Sequence, residues 1–324
     1  MFKIEAKIKK EESMKKTTGV ILGAFFAAAA LFFFQAGCGG GGGGGSSAKS
    51  ELAKLQSADI SDPTAVGNIF DGAMGMADVG MMGMDRSGMS MMKATKIPGL
   101  KALGLGKAAP GDCMSQDQNN TTCECYVSGT VSINVVDNQD SGSVTITFND
   151  CKDDADAPAI NGEFKLSGSG TDTSAKISAS ADLTQGEGFF KGTATIYITS
   201  DNSGNTTVKA EIDFSGADWQ EPDNIGYLYL NGTVVLTSTG IMTINGIAQF
   251  GTTKDGKVDV KANDIIFDAN TCASEPVSGT LIISSGDQTV TITFDGAATC
   301  DGKAKCTGAI SGTLDLETGE IIQP

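Results

Sequence analysis

From Tyr126 onward the chain is written in short segments that alternate apolar and polar residues, and this limits its folds more than any other feature. Val144-Thr145-Ile146-Thr147-Phe148 alternates cleanly, as do Val208, Ala210, Ile212 and Phe214, and Val258 and Val260. A period of two places one set of side chains on a buried face and the other in water. Turn residues recur at short intervals: Asn161-Gly162, Asn202-Ser203-Gly204-Asn205, Asp255-Gly256 and Ser285-Gly286-Asp287. Gly129, Gly192, Gly232, Gly279 and Gly312 are each followed by Thr, and the Gly-Thr pairs read as strand openings. The spacing predicts about twelve to fourteen strands, with connections too short for parallel crossovers. The expected fold is mainly β: a large antiparallel meander forming a curved sheet, sandwich or partly open barrel, preceded by a short helical segment.

An internal near-repeat sharpens this. Val127-Ser128-Gly129-Thr130 returns as Val277-Ser278-Gly279-Thr280, and Val144-Thr145-Ile146-Thr147-Phe148-Asn149 returns as Val290-Thr291-Ile292-Thr293-Phe294-Asp295. Each pair reads as one hairpin, and residues equidistant from a hairpin turn face each other. Cys272 and Cys300 are centred on Gly286, and Cys125 and Cys151 on position 138. The expected disulfides are therefore Cys272–Cys300 and Cys125–Cys151, or Cys123–Cys151. Cys113 would pair with whichever of Cys123 and Cys125 remains, leaving Cys306 over. A direct Cys300–Cys306 bridge is the alternative for the last group. Clustered sulfur also suits a metal, but disulfides are the expectation for an exported chain.

Export is written at the N-terminus. Six lysines between Lys3 and Lys16 precede an unbroken apolar stretch from Gly19 to Phe34, then Ala36, Gly37 and Cys38. A basic region, a short apolar core and small residues make a secretory signal over residues 1–37, and the 16 residues of the apolar core are too few for a bilayer span of about 20 helical residues. Met14, followed by Lys15 and Lys16, offers an alternative start. Gln35-Ala36-Gly37-Cys38 resembles the bacterial lipobox, with Gln35 where that family carries an aliphatic residue. The resemblance implies cleavage before Cys38 and a lipid on its thiol. Residues 38–50 then form the lipidated Cys and its tether, since Gly39–Gly45 followed by Ser46 and Ser47 populates many backbone states and reaches about 15–20 Å. Such a glycine run resembles the tethers of surface lipoproteins, and Gly39 resembles an outer-membrane sorting signal.

Residues 51–110 read as a Met-rich helical segment ahead of the β domain at 111–324. Asp62-Pro63 marks a helix start, and Val66, Ile69, Phe70 and Ala73 follow at helical spacing. Eight of the twelve Met lie between positions 74 and 92. Their bland role is adaptable packing. Thioether sulfur also suits Cu(I) or Ag(I), and Met81, Met82, Met84 and Met89 are the candidate ligands. This stretch resembles the Met- and His-rich loops of periplasmic copper-resistance proteins, with Arg86 in place of a His. Asp150, Asp153, Asp154 and Asp156 offer oxygen for Ca²⁺ without the spacing of a calcium loop. Trp219 suits a sugar platform or a core edge.

The chain has no His, which removes imidazole-based nucleophile activation and His-ligated metals. Its charge of −16 becomes about −19 once residues 1–37, with six Lys and three Glu, are removed. That balance disfavours nucleic acid. Low aromatic content (6%) and charges on both strand faces argue against a transmembrane barrel. The body resembles a loose group of secreted bacterial β proteins to which no activity is attached. The expected role is a lipid-anchored outer-membrane or surface protein, non-enzymatic, that binds or scaffolds a protein or hydrophobic partner. The alternatives are a carrier of a lipid in a curved sheet, resembling periplasmic lipoprotein carriers, and Cu(I) or Ag(I) handling.

Overall fold

The computed structural model describes residues 47–70, 113–115, 120–138, 141–152, 154–171, 173–273 and 275–323. Among the described residues two helical segments come first, α1 (Ala48–Leu52) and α2 (63–70). Sixteen strands follow: β1 (Cys113–Ser115), β2 (Asn120–Glu124), β3 (Ser128–Asn138), β4 (Ser141–Lys152), β5 (Ile160–Gly170), β6 (Ser174–Gln185), β7 (Gly188–Ser200) and β8 (Thr206–Ala217). Then come β9 (Gly226–Leu236), β10 (Met242–Thr252), β11 (Gly256–Phe267), β12 (Ser278–Ser285), β13 (Gln288–Phe294), β14 (Lys303–Gly308), β15 (Gly312–Asp315) and β16 (Ile321–Ile322). They form one antiparallel sheet in strict chain order, a meander with β1 and β16 as its two edges rather than a closed barrel. The strand count exceeds the expected twelve to fourteen because edge pieces as short as two and three residues pair without enough length to alternate visibly.

The alternation has the expected physical result. Along β8, Val208, Ala210, Ile212 and Phe214 are buried and the residues between them are not. Register turns this into continuous rows. Val135, Val144, Leu166, Ala179, Ala194, Ile212, Leu230, Ala248, Val260, Ile283 and Val290 are successive cross-strand partners from β3 to β13. The face they share is the inner one. A slip of one residue in any strand would move its whole apolar set to the outer face.

The N-terminal segment straps across this sheet. α1 lies on the outer face, where the Ala48 amide donates to Asp213 Oδ1 at 2.6 Å and Lys49 Nζ sits 4.5 Å from the centre of the Tyr229 ring. Gln56 and Ala58 then bond to Lys257, and the Ile60 amide donates to Gln288. The chain thus rounds the turn ends of β10–β13 and delivers α2 to the inner face. There Ile60, Val66 and Phe70 pack with Val258, Val260, Ile283 and Val290. Asp62 caps α2 through the Thr64 amide, as the Asp62-Pro63 pair predicts. α1 begins at Ala48, capped by Ser47.

Three local readings need correction. Gly192 and Gly232 sit mid-strand in β7 and β9 instead of opening them, because Phe214 crosses over Gly192 and the Gly246 backbone lies against Gly232. Asn161-Gly162 is part of β5 instead of a turn, and its Asn clamps a bulge in β4.

Phe70 is 2% exposed and belongs to the largest apolar cluster. Phe70→Ala should lower the unfolding free energy by about 3–5 kcal/mol, measured by urea denaturation.

Candidate functional site

Two of the expected disulfides are present. Cys125 is bonded to Cys151 with their Cα atoms 5.5 Å apart, and Cys272 to Cys300 at 5.7 Å. The first closes the open end of the β3–β4 hairpin and the second that of β12–β13. Cys123 is also disulfide-bonded, and the residue opposite it in the β1–β2 register is Cys113. Cys306 is free and buried at 1% exposure, opposite Ile292. Burial pushes its thiol up to about 11, against a smaller opposing pull from the Leu314 backbone.

The near-repeats carry a second device that the sequence reading missed. In β4, Asn149-Asp150 forms a bulge with Asp150 at φ 50; in β11, Asn263-Asp264 forms another with Asp264 at φ 45. An Asn from the neighbouring strand clamps each. Asn161 Oδ1 accepts the Asp150 amide at 2.8 Å while its Nδ2 donates to Asp150 Oδ1 at 3.0 Å. Asn245 holds Asp264 through the same two bonds, both 2.8 Å. On the other flank, the carbonyls of Asp150 and Asp264 fill the space where Gly129 and Gly279 would carry a Cβ, so only glycine fits. The Val-Ser-Gly-Thr repeat is thus one half of a bulge lock. Its signal in the sequence is an Asn-Asp pair accompanied by an Asn-Gly pair on another strand.

These locks also decide what the acidic loop does. Asp150 is engaged by Asn161, and Asp154 accepts the Asp156 amide at 2.9 Å. Asp153 lies outside the described residues. Among the described residues no three His, Cys, Asp or Glu side chains converge on a metal position. Met81, Met82, Met84, Met89 and Cys38 also lie outside them. Trp219 sits half-buried in the β8–β9 connection beside Gly186.

Glu275 is a buried acid that no sequence pattern announced. It is 3% exposed beside the Cys272–Cys300 bridge, and its Oε2 accepts the Lys303 amide at 2.9 Å. It pins the loop before β12 to the start of β14.

The outer face holds a groove. Two Ser-Gly-Ser triplets, Ser141–Ser143 on β4 and Ser167–Ser169 on β5, lie side by side with Ser141 opposite Ser169 and Ser143 opposite Ser167. Ser178 and Lys176 on β6 extend the same rows. Val136 and Asn138 on β3 border one end, and the open depression has a volume of about 360 Å³. At the other end Lys176 Nζ lies 5.5 Å from the centre of the Tyr197 ring, and Tyr197 is 46% exposed. Ser167 Oγ donates to the Ser178 carbonyl at 3.5 Å. Among the described residues the hydroxyls of Ser141, Ser143, Ser169 and Ser178 have no protein partner.

Comparison with protein-family models, with curated proteins and with solved structures finds no match for this chain.

Two outcomes are expected for the cysteines. Cys272→Ser with Cys300→Ser should cost about 3–4 kcal/mol of stability by the loop-entropy relation, read from chemical denaturation. Cys306 should resist iodoacetamide in the folded protein at pH about 8, where an exposed thiol reacts, and become alkylated in denaturant.

Proposed function

We propose that this chain is a lipid-anchored protein of the bacterial envelope, held at the outer membrane through Cys38, with a non-enzymatic binding or structural role. The observation that carries the reading is the set of disulfides, Cys125–Cys151, Cys272–Cys300 and the bonded Cys123. Disulfides persist in oxidising compartments and are rare in the cytosol. The lipobox-like Gln35-Ala36-Gly37-Cys38 and the glycine run after it supply the address and the leash. The described chain begins at Ser47, and α1 lies on the outer face over β8–β10. The mature body, near −19, gains nothing from an anionic membrane surface, and attachment then depends on the lipid.

Binding on the outer face is favoured over carriage of a lipid on the inner one. α2 already fills the inner face beside β11–β13, where Ile60, Val66 and Phe70 are each no more than 2% exposed. Cys38→Ser should move the protein from the membrane pellet to the soluble fraction of fractionated cells. Retention of the variant in the membrane would refute the anchor.

A further inference from the structure

We infer that the inner face of the sheet over β3–β6 is the docking surface for the Met-rich segment of the same chain, residues 71–110. The inference goes beyond the envelope reading and does not depend on the anchor. A sheet whose apolar residues share one face must bury that face against a second layer. Over β10–β16 the layer is α2, and Ile60, Val66 and Phe70 enter the apolar cluster there. Among the described residues no helical residue enters the clusters over β3–β9. Exposure changes accordingly along one row: Ile283 and Val290 are fully buried, whereas Val144 and Leu166 are half-buried and Val135 is 37% exposed.

The path of the chain selects the occupant. Phe70 leaves α2 on the inner face at β11–β13, and Cys113 opens β1 at the opposite edge of the sheet. At about 4.8 Å per strand these points lie about 50–60 Å apart along the sheet. The forty-two residues between them span about 63 Å as a continuous helix and more when extended, enough to follow the inner face from one end to the other. The outer face is a poor route, since over β5–β7 it carries the ion pairs Lys165–Glu163 and Lys191–Asp182. Eight Met between positions 74 and 92 supply unbranched side chains that adapt to a relief running from Phe148 and Leu166 to Ala179 and Gly192. Charge agrees: residues 71–110 carry three Asp, one Arg and four Lys, a net +2, in a mature chain near −19. With the face so covered, Met81, Met82, Met84 and Met89 are packing residues rather than Cu(I) ligands, and the sheet is not open to a carried lipid.

The test is photo-cross-linking of the purified protein in detergent, with p-benzoylphenylalanine placed singly at Val144, at Leu166 or, on the outer face, at Tyr197. Peptides from the monomer should show the Val144 and Leu166 positions joined to residues 71–110 and the Tyr197 position not. Cross-links from the inner positions to a second copy or to co-purified lipid, or none to the segment, would overturn the proposal. Oxidation gives a second readout. In dilute peroxide, Met81, Met82, Met84 and Met89 should form sulfoxide several-fold more slowly in the folded protein than in denaturant, with Met242, 4% exposed, as the buried reference. Leu166→Asp should remove that protection while Met242 keeps its own. Equal oxidation in folded and denatured protein, or protection unchanged by Leu166→Asp, would contradict the docking. Loss of Met242 protection as well would mark a variant that fails to fold, and the cross-links then decide.

Discussion

Eleven residues drawn from eleven successive strands, Val135 through Val290, meet side by side on one face of the sheet. Everything else in the molecule depends on that registration. A meander offers each strand only its sequence neighbours, so each turn must set the pairing that the apolar row then stabilises. Val135 at the β3 end of the row is exposed and Val144 and Leu166 are half-buried, and the apolar surface that is buried from Ala179 onward is worth on the order of 25 cal/mol per Å². The mid-sheet members are small, with Ala179 and Ala194 facing each other and Gly192 beneath Phe214. Toward β11–β13 the residues become Val and Ile, and there α2 supplies the covering layer.

Two kinds of device protect the register. Disulfides close the ends of β3–β4 and β12–β13 opposite their turns, so neither hairpin can slide. The bulges at Asp150 and Asp264 absorb extra residues, and Asn161 and Asn245 hold each bulge in place. The two locks are arranged in opposite order. The glycine strand precedes the bulged strand in the first, β3 before β4, and follows it in the second, β12 after β11. The strap from Ser47 to Ile60 adds a third restraint by joining the outer face at Asp213 to the turn ends of β10–β13.

Much of this was legible in the residues. Alternation in strands such as Val144–Phe148 points to the fold class, and equal distances from a turn point to both disulfide pairs while leaving Cys123–Cys151 and Cys300–Cys306 open as alternatives. The start of α2 follows from Asp62-Pro63. What could not be read depends on neighbours distant in sequence. Gly-Thr looks the same at a strand opening (Gly129) and in mid-strand (Gly192), and only Phe214 from the next strand tells them apart. Asn161-Gly162 has the composition of a turn, yet it pairs with a bulge because Asp150 lies across from it. The Ser-Gly-Ser triplets resemble loop sequence until register lays one against the other. Glu275 is buried by loops that no periodicity describes.

One measurement tests both the disulfide locks of the sheet and the proposed lipid on Cys38: the intact mass of the purified protein without reduction. It should correspond to a chain beginning at Cys38 and carrying a diacylglycerol thioether. Alkylation in denaturant should add one adduct before reduction and seven after it, from Cys306 and three reducible bridges. A mass that begins at Met1 or Met14 with no lipid, or seven adducts without reduction, would contradict it.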